Sequence, residues 1–424
     1  MRRTFFIGGL LILVMAAAFF IGAGASLRNS GDAVADPEPN DEPEIEEPVD
    51  PEPEPEPEPD IRSITLVAAG DITAHEPQIT QAHAGDGTYD FSPTFEFITP
   101  YIQRGDLAVG NLETCQAGPE ISFLDYQGYT GYPCFNAPIE LSEALKEAGF
   151  DFVSTAHNHS MDRGLSGLKA TLENIRAAGL TTFGTYLNQK EHDTPVISEV
   201  DGVKVAFLSY TFSTNVIPVP EGHEYAVNFI ENFHTVEPIT DEIDRARAAG
   251  ADIVAISMHW GDMYVTEPQE HSRHVAAELA AAGADLILGG HPHVVQPIEW
   301  IYTEEEDGFQ RPTMVTYSMG NFLSNQRYPN NPTDLVQYGN ILEIEISKEM
   351  DSGRTWISDV NYEITWVHRD WRHRILPLSE VLAAEPSEFN LDAAQLEQLQ
   401  QGHLRNEEII EKYGFSDDAP AELR

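Results

Sequence analysis

The sequence predicts a layered α/β domain. Short apolar segments alternate with amphipathic helical ones through about 250 residues, the pattern of a sheet covered by helices. Several apolar segments run straight into Gly, Asp, Asn or His, and the carboxyl ends of parallel strands are where ligands bind in such sheets. The clearest junction is Ala284-Asp285-Leu286-Ile287-Leu288, followed at once by Gly289-Gly290-His291-Pro292-His293. It reads as a buried strand, a tight turn and two imidazoles aimed at one small volume.

The elements follow in order. Residues 64–69 form a strand that runs into Gly70-Asp71-Ile72, and residues 107–109 form a second that ends in Gly110-Asn111-Leu112-Glu113. Residues 138–148 predict a helix, with proline in its first turn and Gly149 behind it. The strand 152–155 leads into Ala156-His157-Asn158-His159-Ser160-Met161-Asp162-Arg163-Gly164, and residues 165–178 are helical up to Gly179. Residues 203–210 are a strand and 237–249 a helix. The strand 253–257 ends at Met258-His259-Trp260-Gly261, and a helix at 270–282 precedes the double-histidine junction. Residues 314–318 form another strand, ending in Gly320-Asn321-Phe322. The segments 341–346 and 357–365 alternate as an antiparallel edge or second sheet would. Beyond Leu378 the chain reads as polar helices, an appended tail. These signals divide the chain into residues 1–25, 26–60, 61–375 and 376–424.

The first two divisions are compositional. Arg2 and Arg3 precede an uncharged apolar run from Phe5 to about Ala25, long enough to span a membrane with the remainder outside the cytoplasm. A cleaved signal peptide is the competing reading, since Ala23-Gly24-Ala25-Ser26 suits a peptidase. Residues 32–60 hold 14 acidic residues and no Lys or Arg, largely as alternating Glu and Pro. Such a segment repels itself and stays extended, so it spaces the domain from the membrane. The net charge of -46 argues against nucleic acid as a partner. Cys115 and Cys134 are the only cysteines. Outside the cytoplasm they are placed to pair, and the alternative is two free thiols.

Asp71, Glu113, Asn158, His159, His259, His291 and His293 all fall just past strand ends, and so at one sheet edge. Mixed imidazole, carboxylate and amide donors suit Mn, Fe or Zn rather than Ca. They are too many for one tetrahedral ion, and two ions bridged by a carboxylate would polarise an electrophile and steady a leaving oxygen.

The motifs Gly70-Asp71, Gly110-Asn111-Leu112-Glu113, His157-Asn158-His159 with Asp162 and Gly164, His259-Trp260-Gly261, Gly290-His291-Pro292-His293 and Tyr317-Ser318-Met319-Gly320-Asn321-Phe322 resemble the CapA/PgsA family. Those are capsule or poly-γ-glutamate biosynthesis proteins of the calcineurin-like metallophosphatase superfamily. The resemblance covers about Ile64 to Phe322 and on toward Trp366. It implies a metallophosphatase-like β-sandwich flanked by helices, with two divalent transition ions. By it, Asp71 and His293 hold the first ion, Glu113 bridges, and Asn158, His259 and His291 hold the second. His159 becomes the acid that protonates the leaving group, and Asp162 orients a histidine. Arg163 is placed to bind a substrate carboxylate or phosphate.

The chain departs from the superfamily at Thr73, where a histidine is usual, so the first ion site is one ligand short. His75 is a poorly spaced substitute. The bridging Glu113 also stands where Asp is usual. Three functions remain open: a membrane-anchored component of anionic-polymer synthesis working beside synthase subunits, a secreted metallophosphoesterase, and a non-catalytic scaffold. The basic run His368-Arg369-Asp370-Trp371-Arg372-His373-Arg374 either guides polymer or pairs with the acidic surface. Tyr126, Tyr129 and Tyr132 either line a groove or pack their loop.

Overall fold

The computed structural model describes residues 59–230, 235–305 and 308–415. The apolar run expected to anchor the chain, and nearly all of the Glu/Pro linker, lie outside them. Among the described residues no helix is long and apolar enough to cross a membrane.

Two sheets carry the fold. The first begins with β1 (Ile61–Ile72), β2 (Leu107–Asn111), β3 (Phe152–Ser154) and β4 (Thr181–Phe183), all mutually parallel neighbours. The second contains β5 (Val196–Val200), β6 (Val203–Thr211), β7 (Ile253–His259), β8 (Leu286–Gly290), β9 (Ile298–Glu304) and β10 (Gln310–Thr316), in the order β5-β6-β7-β8-β10-β9. Its four inner strands are parallel, and β5 and β9 close the edges antiparallel. The chain then returns to the first sheet as β11 (Asn321–Leu323), β12 (Tyr338–Glu349), β13 (Thr355–His368) and β14 (Arg374–Pro377). The segments expected as an edge or separate sheet therefore extend the first one, with β12 running antiparallel along β1 from Ile61 to Ala69.

Strand alternation assigns the layers. Leu66 and Ala68 of β1 join Val109, Phe152, Phe207, Ala255, Leu286 and Ile344 in the core that includes residues of both sheets. Val67 and Ala69, one residue out of phase, pack instead with Phe95, Leu141 and Leu145 from helical segments on the outer face. The helices Glu237–Ala248 and Glu270–Ala281 cover the second sheet through Ile239, Ile243, Val275 and Leu279. The result is a sandwich of two mixed sheets between helical layers.

The chain beyond residue 375 packs into the same core as the strands before it. The described residues group as one compact unit. Leu378, Val381, Phe389, Leu391, Leu399, Ile410 and Phe415 belong to the same core cluster as β1 and β12. Helix Ala393–Ile410 is held further by Arg405, whose guanidinium makes a two-pronged ion pair with Asp334 at 2.6 and 3.0 Å.

Candidate metal centre

The parallel strands of both sheets deliver their carboxyl ends to one place. Asp71 stands near the end of β1, and its neighbours across the sheet are Asn111 on β2 and Asn321 on β11. Asn111 Nδ2 donates to Asp71 Oδ1 at 2.7 Å and lies 3.1 Å from His259 Nδ1. Asn321 Oδ1 lies 3.0 Å from His293 Nδ1. The two asparagines thus steady Asp71, His259 and His293. Both lay in quoted motifs without an assigned role. Asparagine directly after glycine at two strand ends was the signal that could have revealed them.

The turn after β8 is tightly built. A Cβ on Gly290 would lie 2.4 Å from Asp71 Oδ1, and one on Gly289 would lie 2.0 Å from the Tyr317 carbonyl oxygen. Only glycine lets β8 come this close. His291 and His293 then adopt φ of 92° and 58°, a left-handed conformation that costs a side-chain-bearing residue about 1–3 kcal/mol. That backbone brings the His291 amide 3.0 Å from Asp71 Oδ2.

Two ligand sets result, and they share one residue. Glu113, His259 and His291 offer donor atoms within 4.8 Å of one another, and so do Asp71, Glu113 and His293. His259 Nε2 lies 3.0 Å from Asn158 Oδ1, 3.2 Å from His291 Nδ1 and 3.5 Å from Glu113 Oε1. His293 Nδ1 lies 3.3 Å from Asp71 Oδ2 and 3.8 Å from Glu113 Oε2. The structure thus brings Asp71, Glu113, Asn158, His259, His291 and His293 together.

The electrostatics are those of a site built for positive charge. Glu113 is fully buried, and neither of its carboxylate oxygens has a hydrogen-bond partner. A buried carboxylate left so is costly unless a cation compensates it. Burial, then the neighbouring His259 and His293, push the His291 imidazole well below its usual range, leaving it neutral and free to ligate. Burial also acts to lower His293, but Glu113 and Asp71 outweigh it and hold its pKa up to about 9. Asp71 is pushed up by burial, yet the nearby His293 brings it below the ordinary carboxylate range. The donor set and the orphaned carboxylate fit divalent transition ions.

His159 sits beside this cluster on the turn after β3. Its Nδ1 lies 2.8 Å from Asp162 Oδ2, which also accepts the Phe135 amide at 2.7 Å. The Phe135 ring meets the imidazole edge-on at 4.6 Å. Two side chains from the loop after β6 were not foreseen. Phe212 packs on His291 at 4.9 Å, and Asn215 Oδ1 accepts from Asn158 Nδ2 at 3.4 Å.

Three expectations change. Arg163 is completely buried, and its guanidinium donates to the Gly128 carbonyl and the Thr130 hydroxyl, so it braces the 115–134 loop rather than meeting a substrate. Cys115 and Cys134 are free thiols. Each is turned to the backbone of the histidine turn, Cys115 Sγ at 3.3 Å from the His159 carbonyl and Cys134 Sγ at 2.8 Å from that of Asp162. That engagement takes the place of the expected bridge. His75 gives its Nδ1 to the Asn325 amide and its ring to Phe135, and it belongs to neither ligand set. Thr73 does not join them either, because its hydroxyl donates to the Leu323 carbonyl at 3.1 Å.

Fold and site together define a class: a two-sheet α/β protein with a buried carboxylate–imidazole cluster where the parallel strands of both sheets end. Within that class the chain belongs to the bacterial capsule synthesis protein family PGA_cap, which residues 65–326 match. It is similar to the capsule biosynthesis protein CapA of Bacillus anthracis, 29% identical over 284 residues, covering 65% of this chain and 63% of that protein. It is also similar to the PGA biosynthesis protein CapA of Bacillus subtilis (strain 168), 29% identical over 250 residues, covering 58% of this chain and 60% of that one. The chain thus spans less than two thirds of the length of either relative. Among solved structures it is similar to a novel phosphatase from Mycoplasma pneumoniae, with TM-score 0.40, 12% identity and coverage of 72% of this chain and 93% of that one. The sulfate thiohydrolase SoxB of Thermus thermophilus gives TM-score 0.37, 14% identity and coverage of 80% and 60%.

Proposed function

We propose that this chain is a membrane-anchored, extracytoplasmic component of poly-γ-glutamate or related capsule-polymer synthesis or export, and that it acts through a two-ion, metallophosphatase-like hydrolytic site. The observation that carries the reading is Glu113, a fully buried carboxylate with no hydrogen-bond partner that stands in both ligand sets. Family membership supplies the polymer, and the apolar run behind Arg2 and Arg3 supplies the anchor. An anionic polymer and membrane-bound synthase subunits are the partners this implies; nucleic acid is not among them.

Asp71, Glu113 and His293 would hold one ion, and Glu113, Asn158, His259 and His291 the other. Mn, Fe or Zn ions there would polarise an electrophilic centre and neutralise charge developing on a leaving oxygen. The chain's own contribution is proton placement. Asp162 engages Nδ1 of His159, so Nε2 is the nitrogen left to carry a transferable proton. Phe135 walls the imidazole on one side and keeps it from turning. The first ion site has three protein ligands and no help from Thr73, which favours a narrow activity over a general phosphatase one.

The test compares polymer yield in cells with nitrophenyl-phosphate hydrolysis in vitro, for wild type, Glu113→Gln and His159→Ala. Polymer loss in both variants, with little hydrolysis by any of the three, is the expected pattern. Vigorous hydrolysis by wild type, with polymer yield indifferent to both changes, would make the chain a secreted metallophosphoesterase. Full polymer yield from both variants without hydrolysis would make it a scaffold.

A further inference from the structure

A cleft of about 160 Å³ opens between the loop that follows β11, the end of β13 and helix Ala393–Ile410. Arg327, Arg369, Trp366, Gln326, Gln398 and Asp370 are among its walls. On a chain with 24 Lys and Arg against 70 Asp and Glu, most cations would be expected to be neutralised by a carboxylate. Arg327 forms no ion pair among the described residues. Its Nη1 donates only to the carbonyl and side-chain oxygens of Asn325, at 3.4 and 2.9 Å. Arg369 has Asp370 beside it at 3.7 Å, with that carboxylate largely in solvent. Burial and the proximity of Arg369 together push the Arg327 guanidinium below its usual range, as expected of two cations facing one cleft.

A second observation is independent of charge. Trp366 lines the same cleft with 9% of its surface exposed, and its indole N–H has no partner. A buried donor left so lacks an acceptor. That N–H is itself sealed from the cleft, so the donors that line it are two guanidinium forks and the side-chain amides of Gln326, Gln337, Gln395 and Gln398.

We propose that this cleft binds the carboxylates of an anionic polymer chain. The forked guanidinium matches a planar carboxylate in two-pronged geometry. The glutamine amides suit the amide links of a γ-glutamyl backbone, which alternate with its carboxylates. The inference rests on the polymer reading above for its ligand. The cleft is also wired to the centre. Gln326 Oε1 accepts from Asn321 Nδ2 at 3.0 Å, and Asn321 Oδ1 lies 3.0 Å from His293 Nδ1. Gln326, the sequence neighbour of Arg327, is thus linked through two hydrogen bonds to a ligand of the first ion site.

The experiment titrates the full-length, metal-loaded protein with a γ-linked glutamate oligomer of defined length by calorimetry, with polyphosphate of matched charge as the second probe. The double variant Arg327→Gln/Arg369→Gln should weaken oligomer binding by roughly tenfold or more, the loss of one or two charge-assisted bonds. Metal content should be unchanged in the double variant. Equal affinity of wild type and the double variant would overturn the assignment. So would polyphosphate binding as tightly as the oligomer with the same losses, because the cleft would then be a general anion site. If wild type fails to bind the oligomer while Glu113→Gln still abolishes polymer in cells, the cleft is wrong and the proposed function stands. If the oligomer binds at the cleft while polymer yield ignores Glu113, the cleft stands and the proposed function falls.

Discussion

Replacing Glu113 by Gln keeps the side chain's shape and removes its charge, and its effect should depend on metal. In metal-free protein the carboxylate is buried without hydrogen bonds, and the imidazoles of His259 and His293 lie 3.5 and 3.8 Å away. Losing these two unbonded attractions while relieving the desolvated charge largely cancels, so stability in chelator should change by under about 2 kcal/mol. With metal the balance reverses, because the residue common to both ligand sets is weakened. An ion present at about 100 times its Kd stabilises the native state by about 2.7 kcal/mol. For a body this large that is a rise in Tm of up to about 5 °C per ion. Wild type should show such a rise, and Glu113→Gln less than half of it, by thermal melts in chelator and in excess Mn or Zn. Metal analysis should show fewer ions per chain in the variant. Equal shifts and equal stoichiometry in the two proteins would refute the reasoning that Glu113 joins two sites.

Gly290→Ala would drive a methyl group into Asp71 Oδ1, so it should lower stability by about 1–3 kcal/mol and reduce metal content, both measurable on purified protein. Truncation after Pro377 would remove Leu378, Val381, Phe389, Leu391, Leu399, Ile410 and Phe415 from the core, so the shortened chain should be insoluble or melt far below wild type. An unchanged melting curve would restore the appended-tail reading. Asp334→Asn should cost about 0.5–1 kcal/mol at neutral pH, the worth of a partly exposed ion pair with Arg405. The hydrogen bond from Arg405 holds Asp334 below the ordinary carboxylate range, so its contribution is present above that range and is lost as pH falls through the lowered value. Denaturant titrations at neutral and acid pH should show the wild-type advantage disappearing in acid.

Strand-end chemistry was legible in the sequence because it is local. A β strand, a glycine and a histidine or carboxylate fall within a few positions of one another, so Asp71, Glu113, His259, His291 and His293 announce themselves. What failed depended on contacts distant in sequence or on direction. Arg163 follows the histidine motif by a few residues, but the turn into helix Gly164–Ala177 sends its guanidinium to Gly128 and Thr130. The two cysteines suit a bridge by count and compartment, yet carbonyls 44 and 28 residues away hold their thiols. The tail escaped because helix Ala393–Ile410 buries Leu399, Gly402, Asn406 and Ile410, a face half of which is not hydrophobic. A Cβ on Gly402 would strike the Tyr338 hydroxyl at 2.1 Å, so that glycine is what lets the helix reach β12.

The origin of the ligands suggests why the centre lies at the join of two sheets. Asp71, Glu113 and Asn158 come from the ends of β1, β2 and β3 in the first sheet, whereas His259, His291 and His293 come from β7 and β8 in the second. The first sheet thus contributes every carboxylate and the second every imidazole. Each ligand set therefore needs both sheets in register, and no set can form within one of them. Ions held there would tie the layers together at their carboxyl edge, where the inter-sheet core gives way to polar groups. Charge follows the same division: among the described residues, the imidazoles that pair with Asp71 and Glu113 come from across the join, chiefly His293. Metal loading should therefore tighten the interface between the sheets, and amide exchange at the carboxyl ends of β1, β2, β7 and β8 should slow together when metal is added.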